Sequence, residues 1–335
     1  MNQKIIIDNE IGEEILRKAS IKEKLKEVQE FYHGWNSIFL LKTNKRVYSI
    51  RIFTSNFGFH GNEWKAQKEE YIYKKLNLNN VKAPKFFYHD KPKKIIPYDY
   101  ILIEYLPGIQ LSEIDGAVQK GKRRSPTLSK KAYAKILYEI GKEMAKIHSI
   151  KMPRLSIFDF PLDKNTEWEP LKSFKEYLKR CSDKKLKKKI ETYAKGVLEK
   201  LPKEPRLVPV HTEITSRNVL VKNKPNWKFS GIIDIEWFMK CLPEREFARQ
   251  THELLAYHRD KKLFRLRLRN LLKGYYENGG RLDHPETIPL MILHHLLWMS
   301  YTPKRFKENK WLFEINLNDA ENIVKEYKDI ISELK

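Results

Sequence analysis

Leu207-Val208-Pro209-Val210 runs directly into His211-Thr212-Glu213-Ile214-Thr215-Ser216-Arg217-Asn218 and on through Val219-Leu220-Val221. Sixteen residues after Asn218, Asp234 stands inside Gly231-Ile232-Ile233-Asp234-Ile235-Glu236-Trp237. The apolar, β-branched flanks predict short strands over 207–211, 219–221 and 229–235, which leaves 211–218 as a loop between two strands. Such a loop fixes the Glu213 carboxyl and the Asn218 amide on one side, with Asp234 at a strand end. A His, an acid two residues on and an Asn five further on recur by chance. Strands on both sides and the Ile-Ile-Asp-x-Glu segment make this match specific. These residue types suit phosphoryl transfer: a carboxylate accepts the nucleophile's proton, and two hard oxygen ligands hold Mg²⁺ against nucleotide phosphates.

Outward from the loop, the chain divides by character. Ile11 to Leu25 carries Ile11, Ile15, Leu16 and Ala19 at helical spacing, and β-type runs follow at Ser37–Lys42 and Arg46–Phe53, joined by a turn at Thr43-Asn44-Lys45. Asn62 opens a predicted helix through Leu76. Strands are predicted near Lys85–Tyr88 and over Tyr98–Glu104, with Pro107-Gly108 breaking the chain behind them. Beyond Gly108 the patterns are helical: Leu128–Ser149, the lysine-rich Leu171–Leu201, Glu244–Tyr257, Lys261–Glu277 and Pro285–Tyr301. The expectation is an α+β, bilobal fold. A small β-rich first lobe, residues 1–105, holds a leading helix, an antiparallel sheet and one long helix. A larger helical lobe, 106–335, holds the catalytic loop 211–218 and the metal strand 231–236.

Composition narrows the class. The 335 residues are 41% hydrophobic and 33% charged, too apolar for a disordered chain. Two cysteines, Cys181 and Cys241, cannot build a disulfide framework or a four-thiolate zinc site, so a reducing, cytoplasmic setting is expected. The apolar run Ile288–Trp298 is far short of the ~20 residues that span a bilayer, so no membrane partner is expected. His258, His294 and His295 lack metal-ligand spacing and read as core histidines. The lysines around Cys181 point to a lowered thiol pKa, but no His or Asn partner marks it as a nucleophile.

The loop and its strands have the spacing of a kinase catalytic loop and metal-binding strand. The chain resembles the aminoglycoside phosphotransferase and choline kinase group, which has a protein-kinase-like fold, over roughly residues 28–301. Further matches are Glu246-Phe247-Ala248, where that group often has Asp-Leu-Ala, and Gly141–His148, like its helix ending in Leu-x-x-Leu-His. Val81-Lys82-Ala83-Pro84-Lys85 and the hinge-like Leu102–Gly108 also match. The resemblance implies ATP, or another nucleoside triphosphate, with Mg²⁺ as cofactors and a hydroxyl-bearing acceptor as partner. Position by position it implies Glu213 as catalytic base within a loop that opens on His211, and Asn218 and Asp234 as metal ligands. Glu104 and Leu106 would offer backbone groups to adenine, and Arg51 would touch the phosphates. Glu69, or nearly as well Glu70, would pair with Arg51, and Gly34 would lie in the turn covering the phosphates.

Two departures stand out. The group reads His-Gly-Asp where this chain has His211-Thr212-Glu213, and the extra methylene reaches ~1.5 Å further unless the loop retracts. Cys241 and Leu242 replace its usual Gly-Asp before Pro243. The net charge is +23, and most of it sits in Val118–Lys131, Lys172–Arg206 and His258–Gly274, all in the second lobe. Such a lobe repels cationic amino-sugars and choline and suits a neutral or anionic metabolite or RNA. Lys120–Pro126 is the segment most like a phosphate-contacting arm. The alternative is a catalytically weak kinase-like protein that binds nucleotide and RNA or a protein partner.

Overall fold

In the computed structural model the described residues are 5–33, 36–54, 62–91, 93–115, 118–119, 122–123, 128–154, 174, 177–179, 181–223, 226–258, 261–300 and 302–334. Gly34 and most of Lys120–Pro126 lie outside them, as does the side chain of His258. Among the described residues no helix is long and apolar enough to cross a membrane.

The chain forms two compact units. The first comprises residues 1–109 with 220–222 and 230–236. Helix α1 (Asn9–Lys18) is started by the Asp8 side chain, which accepts the Ile11 N–H. It ends earlier than its pattern predicts. Ser20 turns left-handed at φ 58°, and the N–H groups of Ser20 and Ile21 bond the Arg17 and Leu16 carbonyls, a Schellman-type stop. Leu25, expected to close that helix, instead opens β1 (Leu25–His33).

Strands β2 (Asn36–Thr43), β3 (Val47–Phe53), β4 (Phe86–His89) and β5 (Tyr100–Glu104) complete an antiparallel sheet in the order β1-β2-β3-β5-β4. Its core gathers Ile15 and Leu16 of α1 with Leu41, Ile50, Ile52 and Leu102 of the sheet, all buried. Helix α2 (Asn62–Leu78) follows β3. The segment 230–236, expected in the second lobe, groups with this unit. The Ile232 N–H donates to the Lys82 carbonyl at 2.8 Å. A Cβ on Gly231 would come within 2.8 Å of that same carbonyl oxygen, so only glycine fits.

The second unit is mainly helical. Before its first long helix the chain forms short strands β6 (Ile109–Gln110), β7 (Val118–Gln119) and β8 (Lys122–Arg123). Helices α3 (Lys130–Ser149) and α4 (Lys184–Leu198) start at side-chain caps from Ser129 and Asp183; of the predicted Leu171–Leu201 helix, most of 171–180 lies outside the described residues. Strand β9 (Val208–Val210) leads into the loop; β10 (Val219–Lys222) and β11 (Lys228–Ile232) follow it in the chain, most of each grouping with the first unit. Strand β12 (Met239–Cys241), absent from the sequence reading, pairs antiparallel with β9. Helices α5 (Glu244–His258), α6 (Lys261–Glu277), α7 (Ile288–Met299), α8 (Pro303–Asn318) and α9 (Ala320–Leu334) complete the unit. Helices α3 and α6 cross at a glycine pair: a Cβ on Gly141 would meet the Leu271 carbonyl at 2.0 Å, and one on Gly274 the Tyr138 carbonyl at 1.9 Å. Those clashes permit no side chain, so the backbones touch.

Candidate active site

In the second unit the loop 211–218 hangs from one face of α5. Glu246, fully buried, accepts the backbone N–H groups of His211 (2.6 Å), Thr212 (3.3 Å) and Ile214 (3.3 Å). Gln250 donates to the Ile214 carbonyl, and Glu253 accepts both the N–H and the hydroxyl of Ser216. Positions 246, 249, 250 and 253 follow the helical i, i+3, i+4, i+7 spacing, so one stripe of α5 grips successive loop residues. Burial raises the Glu246 carboxyl to about 7, against the pull of three N–H donors, and burial raises Glu253 as well.

Within the loop, Asn218 donates its amide N–H to the Glu213 carbonyl at 3.0 Å, which commits Nδ2 and leaves Oδ1 as the acceptor atom of that side chain. Imidazole Nδ1 of the fully buried His211 accepts the Glu213 N–H at 3.3 Å, which assigns the ring N–H to Nε2. The Glu213 carboxylate lies 3.7 Å from Arg249 Nη2, and Arg249 Nη1 reaches His295 Nε2 at 2.6 Å. Burial, and then Arg249, hold His295 well below its ordinary pKa. His294 behaves alike: it takes an Arg245 N–H at 3.2 Å, and burial keeps it neutral. Both are core histidines that accept from arginine. Cys181 is also buried, and burial pushes its thiol up, opposite to the lowering its lysines suggest.

In the first unit Arg51 faces three carboxyls. Nε lies 3.3 Å from Glu69 Oε1, Nη1 3.3 Å from Asp234 and Nη2 2.8 Å from Glu236. The neighbouring Glu70 instead binds His89 (2.8 Å) and Lys74 (2.7 Å), so of the two candidates only Glu69 meets Arg51. Lys65 and Lys68 add positive charge to the cluster, but burial outweighs it at Glu69. Glu69 is the most buried of the three carboxyls, neither of its oxygens finds a hydrogen-bond donor among the described residues, and burial raises it to about 8. Asp234, at φ 64°, is 39% exposed at its side chain and presents hard oxygens outward. At the hinge the Glu104 N–H is already taken by the Lys85 carbonyl at 2.8 Å.

Asn218 Oδ1 and the Asp234 carboxylate are the donor chemistry Mg²⁺ prefers, and Mg²⁺ is ordinarily held by one or two carboxylates plus phosphates rather than an all-protein cage. Among the described residues no three His, Cys, Asp or Glu side chains gather as a metal cage.

Residues 27–249 match the phosphotransferase enzyme family APH. The chain belongs to that family. By fold it resembles a Ralstonia eutropha protein assigned to the aminoglycoside phosphotransferases (TM-score 0.63, 13% identity, 98% of this chain and 99% of that one). It also resembles aminoglycoside phosphotransferase APH(4)-Ia (TM-score 0.61, 14% identity, 94% and 98%) and choline kinase LicA from Streptococcus pneumoniae (TM-score 0.53, 14% identity, 95% and 100%). The fold is thus kinase-like. No curated protein matches the chain by sequence.

Against the family's expected glycine, Thr212 sits at φ 70°, a left-handed conformation that crowds a β-branched side chain. Its hydroxyl donates to the Trp237 carbonyl at 3.2 Å, a bond glycine lacks. Glu236, Glu246, Arg249 and Glu253 were not among the residues expected at the site. The signal for three of them was present: polar residues at helical spacing on the segment already matched at Glu246-Phe247-Ala248.

Proposed function

We propose that the protein transfers the γ-phosphoryl group of ATP, with Mg²⁺, to a hydroxyl of a neutral or anionic acceptor. The loop 211–218 carries this reading: a carboxylate and an asparagine amide tied together by the Asn218–Glu213 bond on a backbone clamped by the carboxylates of Glu246 and Glu253. Glu213 takes the acceptor's proton as its oxygen attacks. His211, buried and bonded to the Glu213 N–H, is a positioning residue rather than a proton carrier. Asn218 and Asp234 would hold Mg²⁺, which when bound neutralises charge on the phosphate oxygens. Arg51, oriented by Glu69, would meet the phosphates, and the Glu104 carbonyl and Leu106 N–H would receive adenine. Gly34 would lie in the covering turn. Among proteins of similar fold, one is a ternary complex of a thermostable APH(4)-Ia mutant with AMP-PNP and hygromycin B, which supports a nucleotide and a hydroxyl-bearing acceptor.

The acceptor class follows from charge. Lys172–Arg206 has thirteen basic residues against five acidic, and Val118–Lys131 six against none. A field of that sign lowers the local concentration of cations and raises that of anions. The test supplies γ-labelled ATP and Mg²⁺ with hydroxy-metabolite pools of each charge class and, separately, total RNA. Label should enter a neutral or anionic metabolite, and Glu213→Gln should slow transfer at least a hundredfold. Label entering only cationic amino-sugars refutes the acceptor class; label in RNA moves it to nucleic acid. Nucleotide binding without any transfer makes the protein a binder.

A further inference from the structure

We propose that the second unit holds a separate ligand site: a cavity of about 120 Å³ between α3 and α6 that takes a small monocarboxylate with a short hydrocarbon body. The decisive residue is Arg267. It is 4% exposed, lines the cavity, and stacks over the Tyr133 ring at 4.3 Å. Nη2 donates to the Asp115 carbonyl at 3.3 Å, but Nε and Nη1 have no hydrogen-bond partner among the described residues. Leaving the N–H groups of a buried cation unpaired is costly, so Nε and Nη1 call for an acceptor that the described residues do not supply.

The surroundings select the acceptor's chemistry. Leu137, Leu263 and Leu266 wall the cavity, which calls for an apolar body. Its volume compares with the roughly 150 Å³ of an engineered cavity in another protein that admits benzene, which limits that body to about four or five carbons. Lys130 and Leu266 also line it and are exposed, so it reaches the surface.

Charge narrows the choice again. Lys130 belongs to the basic segment 118–131 and Arg267 to 258–274, so two of the three basic stretches of the sequence meet at this cavity. Against those two cations stands Asp115 on the same wall, a balance that matches a single negative charge. A phosphate dianion would face Asp115. No lining residue comes from the loop 211–218, so this site stands whether or not the phosphotransfer reading does.

Calorimetric titration with butyrate, butyramide and inorganic phosphate tests it. Butyrate should bind saturably, one per chain, at least tenfold more tightly than either of the others. Arg267→Met should weaken butyrate at least tenfold. Ala134→Phe, which fills the cavity and keeps the guanidinium, should do the same, with folding of both variants checked by circular dichroism. Absence of saturable butyrate binding overturns the proposal. So does butyramide binding as tightly as butyrate, phosphate binding as tightly, or binding that survives in both variants.

Discussion

Glu69→Gln replaces a fully buried carboxyl by its neutral isostere, and the expected result is a protein more stable than wild type at neutral pH. Glu69 is raised from 4.5 to about 8. The folded state therefore keeps a proton that the unfolded chain loses above 4.5. Stability from this group is complete below pH 4.5 and falls as pH rises through 8. Each pH unit in that window removes up to about 1.4 kcal/mol, so wild type loses roughly 3 kcal/mol between pH 5 and 8 through Glu69. The amide that replaces it cannot titrate. Arg51 still keeps Asp234 at 3.3 Å and Glu236 at 2.8 Å, so the guanidinium is not orphaned. Urea titrations followed by tryptophan fluorescence at pH 5, 6, 7 and 8 should show the two proteins within about 1 kcal/mol at pH 5 and diverging by roughly 3 kcal/mol at pH 8. Parallel curves, or a Glu69→Gln protein several kcal/mol weaker at every pH, would mean that Glu69 is an ionised partner of Arg51, and the assignment of a burial-raised carboxyl fails.

Thr212→Val keeps the left-handed strain and strips the Trp237 carbonyl of its donor, so thermal denaturation should show a loss of about 1–3 kcal/mol. Thr212→Gly relieves the strain while losing the bond and should fall within about 1 kcal/mol of wild type; equal losses would show that φ 70° costs nothing. Glu246→Ala orphans three loop N–H groups and should cost about 3 kcal/mol or more by urea titration, while Glu246→Leu, of similar volume, separates lost acceptors from lost packing. Gly274→Ala drives a Cβ to 1.9 Å from the Tyr138 carbonyl and should cost about 3 kcal/mol or more. Gly196→Ala, within α4 and facing open space, should gain about 0.5–1 kcal/mol, both glycine variants being measured by urea titration.

Much of the fold was legible because its signals are local. The α3 stripe from Tyr133 to Ile147 and the β-branched flanks of the loop declare themselves within a few residues. Other elements carry an ambiguous local signal. Charged residues separate Ile21, Leu25 and Val28, which fit either a helix or a strand, and a left-handed Ser20 settled the matter for the strand. β12 is three residues long and exists because β9 pairs with it, information that lies about thirty residues away. At the site, chemistry-bearing residues on the motif were readable, but their supports were not. Nothing in Glu69-Glu70 distinguishes the partner of Arg51 from that of His89 until the helix phase is known. Nor does a Glu on α5 announce that its carboxylate will take three backbone N–H groups from a loop thirty-two to thirty-five residues earlier.

The two departures from the family's His-Gly-Asp pattern are adjacent, and the structure gives each its own partner. Thr212 gains a hydroxyl bond to Trp237 that offsets part of its backbone strain. Glu213, one methylene longer than the usual acid, sets its carboxylate 3.7 Å from Arg249, and Arg249 is itself anchored at 2.6 Å by a histidine that burial keeps neutral. A neutral His295 matters here, because a protonated one would repel the guanidinium and give it nothing to donate to. The loop backbone meanwhile is held by α5 through Glu246, Gln250 and Glu253, none of which depends on the side chain at 213. Backbone position and carboxylate position are therefore set by different residues of the same helix. Such a division lets a longer acid enter the loop without displacing Asn218, whose bond to the Glu213 carbonyl is made by the backbone and is blind to side-chain length.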